Sequence, residues 1–287
     1  MRKYRLLRDL LTEDGRFDLE PATPADPAII ARVHDPIYVE QFVSGSLPAA
    51  AMRRIGFPWS EGLVRRTLAS AGGTLAASRD ALATGFGGTL AGGTHHAFRS
   101  EGSGFCVFND VAVAIHELYA VGAVERIGVI DLDVHQGDGT AHFFEDDRRV
   151  FTLSLHGANN FPFRKQRSTL DVELADKTRD EEYLRALDPA LARIWEFRPQ
   201  MVFYLSGVDG LESDVLGRLA LTPEGLKARD RRVIEQSRTR GVPVVVTLGG
   251  GYSNPIELAV EAHASTFRIA ADTFAHPFSK TSFKQVI

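Results

Sequence analysis

The chain has 287 residues, 44% hydrophobic and 24% charged, with a formal net charge of −4, which fits one large α/β domain spanning 1–287. No basic block exists to bind nucleic acid, and the single cysteine, Cys106, excludes an internal disulfide framework. No apolar run is long enough to span a membrane and Met1-Arg2-Lys3-Tyr4-Arg5 leads into no signal-peptide core, so the expectation is a soluble cytoplasmic protein.

Taken in chain order, residues 1–12 and about 60–83 read as helices. A glycine-rich stretch, Gly85 to Gly93, follows with a short apolar break and a polar loop. Asn109 or Asp110 can cap a helix running to about Ala120. Apolar runs predict strands at Ile127–Leu132, Val150–Leu155, Met201–Ser206 and Val242–Leu248. Helical patterns lie between them at about 180–197, restarted at Asp188-Pro189, and at 223–240, with Pro223 at the first helical position. A last helix covers about 255–272. This alternation predicts a three-layer α/β/α architecture with a mostly parallel central sheet. Ligands of such sheets bind beyond the carboxyl ends of the strands.

Polar chemistry concentrates at those ends. Strand 127–132 delivers Asp131, Asp133, His135 and Asp138, and strand 150–155 delivers Ser154 and His156. Strand 201–206 is followed by Asp209 and Asp214, and strand 242–248 by Gly249-Gly250-Gly251-Tyr252. The loop after the glycine-rich stretch carries His95-His96. Side chains alternate in an extended chain, so Asp131, Asp133 and His135 share one side of the strand end. Burying such groups unpaired is costly, and a divalent cation is the simplest compensation. Asp133, His135 and Asp209 offer two oxygens and one nitrogen, a mixture suited to zinc, and three protein ligands leave a coordination position open. Iron(II) suits the same donors. His95 and His96 offer general acid and base, with Asp131 and Asp138 as partners that fix their tautomers. Tyr252 can point a phenol at a developing oxyanion. Together these groups describe hydrolysis of an amide or ester.

Gly92-Gly93-Thr94-His95-His96-Ala97, Gly104-Phe105-Cys106, Asp131 through Gly139, Ser154-Leu155-His156, Gly207-Val208-Asp209 and Gly249 through Tyr252 resemble motifs of the histone deacetylase family of the arginase–deacetylase fold. The similarity runs from about Arg5 to residue 272. Gln136, where many relatives have a second histidine, and Leu211 through Gly217 resemble the class IV branch and its bacterial relatives.

The resemblance implies a role for each residue. Asp133, His135 and Asp209 match the zinc ligands, and His95 and His96 the tandem pair, with His96 as general base. Asp131 would support His95, Asp138 would support His96, and Tyr252 matches the catalytic tyrosine. Gly104-Phe105 and Phe161 match walls of the acyl-lysine channel. Asp131, Ser154 and the carbonyls of Asp133, His135 and Leu155 match a structural potassium site. Arg5 matches an arginine near an internal cavity below the metal. The family's first strand and rim loop have no counterpart ahead of Met1, so either the true start lies upstream or the pocket is more open, and Thr94 stands where many relatives carry a bulky aromatic. Both differences predict a pocket that accepts acyl groups larger than acetyl. An uncovered sheet edge would also allow oligomers.

Plainer readings stand beside these. Phe105 and Phe161 read as core aromatics and Cys106 as a buried small hydrophobe. Asp214 reads as a loop brace, and the charges Arg229, Asp230, Arg231 and Arg232 as a solvated helix face. His34, His116, His142, His156, His263 and His276 receive no catalytic role. The leading expectation is an amidohydrolase that removes acetyl or longer acyl groups from lysine side chains. One alternative is an amidohydrolase of acylpolyamines or other small acylated amines. Another is a non-catalytic acyl-lysine-binding relative.

Overall fold

Several helix starts are fixed by local capping. In the computed structural model, which describes residues 2–274 and the backbone of 281–285, Asn109 accepts from the Ala112 N–H and Thr222 from the Gly225 N–H. His276 lies outside the described residues.

The chain runs α1 (Arg2–Asp14), β1 (Phe17–Pro21), α2 (Pro27–Ile30), α3 (Pro36–Ser44), α4 (Ala49–Ile55), α5 (Glu61–Thr84) and β2 (Phe86–Gly88). It continues through α6 (Asp110–Ala120), β3 (Ile127–Asp131), α7 (Asp138–Phe144), β4 (Val150–Gly157), β5 (Leu170–Leu174) and α8 (Asp180–Glu196). It ends with β6 (Met201–Leu205), α9 (Pro223–Arg240), β7 (Val244–Thr247), α10 (Ile256–Phe274) and β8 (Thr281–Gln285). Strands β1 and β8 pair in parallel as a small separate sheet.

The main sheet has six strands in the order β2-β7-β6-β3-β4-β5, every pair parallel. From β3 the chain steps one way to β4 and β5, and the other way to β6 and β7. The order therefore reverses between β3 and β6, and a crevice opens there at the carboxyl edge. Both faces of the sheet are covered, as parallel sheets require. Along β6, Val202 and Tyr204 join one core with α1, α8, α9 and α10. Met201, Phe203 and Leu205 join the other with α2 to α6.

Two expectations about helices are corrected. α8 does not restart at Pro189 but runs through it. Tyr183, Leu187, Ala190, Leu191, Ile194 and Trp195 form one continuous buried face across both halves, while Pro189 itself is exposed. Packing along that face outweighs the single backbone bond that proline removes. α9 is not a solvated face throughout, because Arg229 and Asp230 are each 1% exposed. They are buried as a pair, the usual condition for burying charge.

Candidate active site

The crevice between β3 and β6 is lined by charge. β3 ends at Asp131, whose Oδ1 accepts from the Asp133 N–H at 3.1 Å. The Asp133 carboxylate then accepts from the His135 N–H at 3.0 Å, so each polar side chain holds the backbone of the next. From β6, Asp209 reaches across and accepts from the Val134 N–H at 2.9 Å. His135 Nδ1 lies 3.0 Å from Asp133 Oδ1 and 3.1 Å from Asp209 Oδ2. One potential ligand atom from each of the three residues falls within 4.8 Å of the others. The glycine turn after β7 closes the far side, with the Gly250 N–H donating to Asp133 at 2.5 Å. A Cβ at position 250 would stand 1.8 Å from Asp209 Oδ2, so only glycine permits this approach.

This cluster is too negative to be stable as bare carboxylates. Burial, and Asp133 beside it, raise Asp209 to about 7. Burial opposes charge on His135, but hydrogen bonds to Asp133 and Asp209 outweigh it and raise the imidazole to about 11. In effect the cluster draws in positive charge. Two carboxylates and an imidazole converging on one point fit a borderline divalent ion such as zinc or iron(II).

The tandem histidines stand beside this cluster, their ring centroids 4.1 Å apart. His95 Nδ1 meets Asp131 at 2.7 Å and His96 Nδ1 meets Asp138 at 2.6 Å, the pairings read from the sequence. The His95 carbonyl accepts from the Thr140 N–H, which docks the loop on α7. Their environments differ. Burial and the neighbouring His95 lower His96 to about 4. Burial works against charge on His95 as well, but Asp131 and Asp133 overcome it and lift the group to about 9.

Phe161 packs edge-on against His96 at 5.0 Å between centroids. Phe105 faces Tyr252 at 6.3 Å. Phe105 is 45% exposed, so the core reading fails for it. Gly104 lies against the His96 ring. The Thr94 hydroxyl reaches the Phe108 carbonyl and the Asp110 carboxylate. These residues line a pocket of about 540 Å³ with the metal-ligand candidates at its floor. Ser154 lies opposite Asp131 in the β3–β4 register, with Leu155 following it in β4.

The loop that carries Tyr252 is held by Asp214, the loop brace expected from the sequence, and by Lys3, which the sequence reading passed over. Asp214 accepts from the Tyr252 N–H at 2.6 Å and from the N–H groups of Leu216 and Gly217, so it braces the very loop that carries the phenol. Burial raises the Tyr252 phenol, keeping its proton available for donation. Arg5 is exposed and lines the cavity that adjoins the pocket, so it does not supply the buried positive charge beside Tyr252. Lys3 takes that place, 4% exposed, donating to the carbonyls of Gly249 and Gly251 at 3.1 and 3.3 Å. Its ammonium lies 5.0 Å from the Tyr252 ring centroid. The spacing of Leu7 and Leu11 carried the signal, because the same buried helical face steps back to position 3 and not to 5.

A family model described as the histone deacetylase domain matches residues 1–267. The chain belongs to the histone deacetylase family. A histone deacetylase-like amidohydrolase of Pseudomonas aeruginosa is 31% identical over 272 residues, covering 88% of this chain and 70% of that protein. Histone deacetylase 2 of Arabidopsis thaliana is 37% identical over 185 residues, 63% of this chain and 48% of that protein. An uncharacterized protein of Picosynechococcus is 45% identical over 279 residues, covering 96% and 93%. Acetylpolyamine aminohydrolase from Burkholderia pseudomallei superposes with a TM-score of 0.76 at 20% identity, covering 94% of this chain and 90% of that one. That likeness shows the shared arginase–deacetylase fold. No helix among the described residues of this histone deacetylase-family chain is long and apolar enough to cross a membrane.

Proposed function

We propose that the protein is a metal-dependent amidohydrolase that removes acyl groups from lysine side chains. The observation that carries this is the convergence of Asp133, His135 and Asp209 with two histidines, each tied to its own carboxylate, in one pocket. A divalent ion held by Asp133, His135 and Asp209 would supply Lewis acidity at the amide carbonyl and lower the pKa of a water molecule.

The chain's own groups supply the rest. With Nδ1 engaged by Asp138, His96 keeps Nε2 for the attacking water's proton, and its low pKa keeps it neutral for that task. Environments that push two neighbouring imidazoles apart, to about 9 and about 4, are the usual means of dividing acid from base. The proton returns to the leaving amine from this pair. Tyr252 donates its phenolic hydrogen to the oxygen that gains charge. Phe105 and Phe161 flank the methylene chain of the lysine. A structural potassium ion would sit among Asp131, Ser154 and the carbonyls of Asp133, His135 and Leu155. The register opposing Asp131 to Ser154 supports that assignment.

Lysine is favoured over a polyamine by the pocket's charge. Among its described lining residues the only carboxylates are the deep pair Asp133 and Asp209. Arg54, Arg218, Asn159, Phe163 and Leu216 line it too. Arg54 and Arg218 are paired with Glu101 and Asp176, so this rim offers a polycation no excess of carboxylates. The expectation of acyl groups longer than acetyl is supported by a second cavity, of about 720 Å³. It shares Tyr4, Gly92, Thr94, Phe105 and Tyr252 with the first.

Rates of the zinc-loaded protein on acyl-lysine peptides of increasing chain length, and on an acetylated polyamine, test this. Peptide hydrolysis with a preference for longer chains is expected. Preference for the polyamine would replace the substrate assignment, and binding of acyl-lysine without turnover would make the protein a non-catalytic module.

A further inference from the structure

We propose that Arg229 is a positioning residue that sets the spacing of the metal ligands from behind the sheet. The backbone ladder between β3 and β6 ends where the Leu132 N–H donates to the Leu205 carbonyl. Beyond that bond the two chains separate to form the crevice. The next carbonyls on each side are those of Leu132, adjacent to Asp133, and Gly207, two residues before Asp209. Arg229 Nη1 donates to both, at 3.3 and 2.6 Å. A guanidinium thus adds one more rung after the strands stop pairing, and it joins the two segments that carry the ligands.

The guanidinium is itself fixed. Its Nε donates to Asp230 Oδ1 at 2.9 Å. Asp230 accepts in turn from the hydroxyl of Tyr204, on β6, and from Thr266 Oγ1, on α10, at 2.6 Å. The group is 1% exposed. A buried ion pair is an expensive way to fill space, since apolar residues of similar volume often serve stability as well or better. Its donors here go to the two carbonyls that border the ligands. Lysine could not substitute fully: one ammonium lacks the flat fork that reaches two carbonyls and a carboxylate together.

The inference rests on reading Asp133, His135 and Asp209 as metal ligands. The test uses Zn²⁺ affinity by chelator competition and the visible spectrum of the Co²⁺-loaded protein. It compares the parent with Arg229→Lys and with Arg229→Met/Asp230→Asn, which leaves no buried charge unpaired. Both variants should weaken Zn²⁺ binding by about 10- to 100-fold, the range for groups that orient metal ligands. Both should also alter the Co²⁺ spectrum, which reports coordination geometry, at temperatures well below unfolding. Unchanged affinity and spectrum in Arg229→Lys, with only a lower Tm, would reduce Arg229 to a structural role. That comparison decides the matter even if the double variant fails to fold. A parent protein that binds neither ion would sink the metal reading itself, a different result from a parent that binds as tightly as its variants.

Discussion

Under the proposed function, individual side chains divide the work at this site between holding an ion and handling protons, and substitution separates the two. Tyr252→Phe keeps the Asp214 brace, which uses the backbone N–H, and keeps the three ligands. Turnover should fall by about two to three orders of magnitude, the usual loss for one oxyanion donor, with metal content unchanged. Asp209→Ala removes a ligand and should leave the purified protein without stoichiometric metal; full occupancy would reassign the third ligand. The grouping of Asp131, Asp133 and His135 was legible as polar residues at a strand end, although β3 stops at Asp131 and the later two are set by a bend held by the Asp131 and Asp133 carboxylates. The carboxylate partners of His95 and His96 were legible through the family's motifs. Lys3 was missed because the family resemblance drew attention to Arg5, while the buried helical face pointed to position 3. Arg229 was missed because a buried ion pair on a polar helix has the same pattern as a solvated one.

Secondary-structure elements show where local pattern suffices. α5, α6, α9 and the long strands follow their apolar periods and caps closely. β2 did not read as a strand because two of its three residues, Gly87 and Gly88, carry no side chain to show a pattern. Its glycine is required by packing, since a Cβ on Gly87 would lie 1.9 Å from the Ala77 carbonyl of α5. α2, α3 and α4 are too short to show a period. Pro189 inside α8 gives a direct test of the balance between local and tertiary forces. Its side chain is exposed, so Pro189→Ala disturbs no core contact and restores a backbone donor. Urea unfolding should show a gain of about 1–3 kcal/mol, bounded by the helix-interior penalty of proline. No gain would mean that the helix has already absorbed the proline without strain.

Across the whole molecule, buried neutral histidines make stability depend on pH. His34 is 1% exposed, its Nδ1 3.0 Å from the Phe98 carbonyl and its Nε2 accepting from the Asn109 N–H at 2.9 Å. It therefore ties the segment before α3 to the cap of α6, and both ring nitrogens are committed with the imidazole neutral. Burial lowers it to about 4. The unfolded chain titrates near ~6.5, so below that pH it takes up a proton that the folded state refuses. This contribution is complete above about 6.5 and is lost as the pH falls from there to about 4. On the order of 3 kcal/mol is at stake. Urea midpoints should drop across this window, and His34→Gln, which can still donate and accept, should flatten the drop. An equally steep fall in that variant would assign the effect elsewhere.

His135 and Asp209 are 74 residues apart in sequence, and they meet only because β3 and β6 are neighbours in the sheet. No short peptide from this chain contains the ligand set. An ion captured there would therefore act as a clasp on the assembled fold, adding about 2.7 kcal/mol at a concentration one hundred times its dissociation constant. Treatment with a chelator should lower the melting temperature as well as silence hydrolysis, and the supply of metal would then govern how long the protein survives as well as how fast it works.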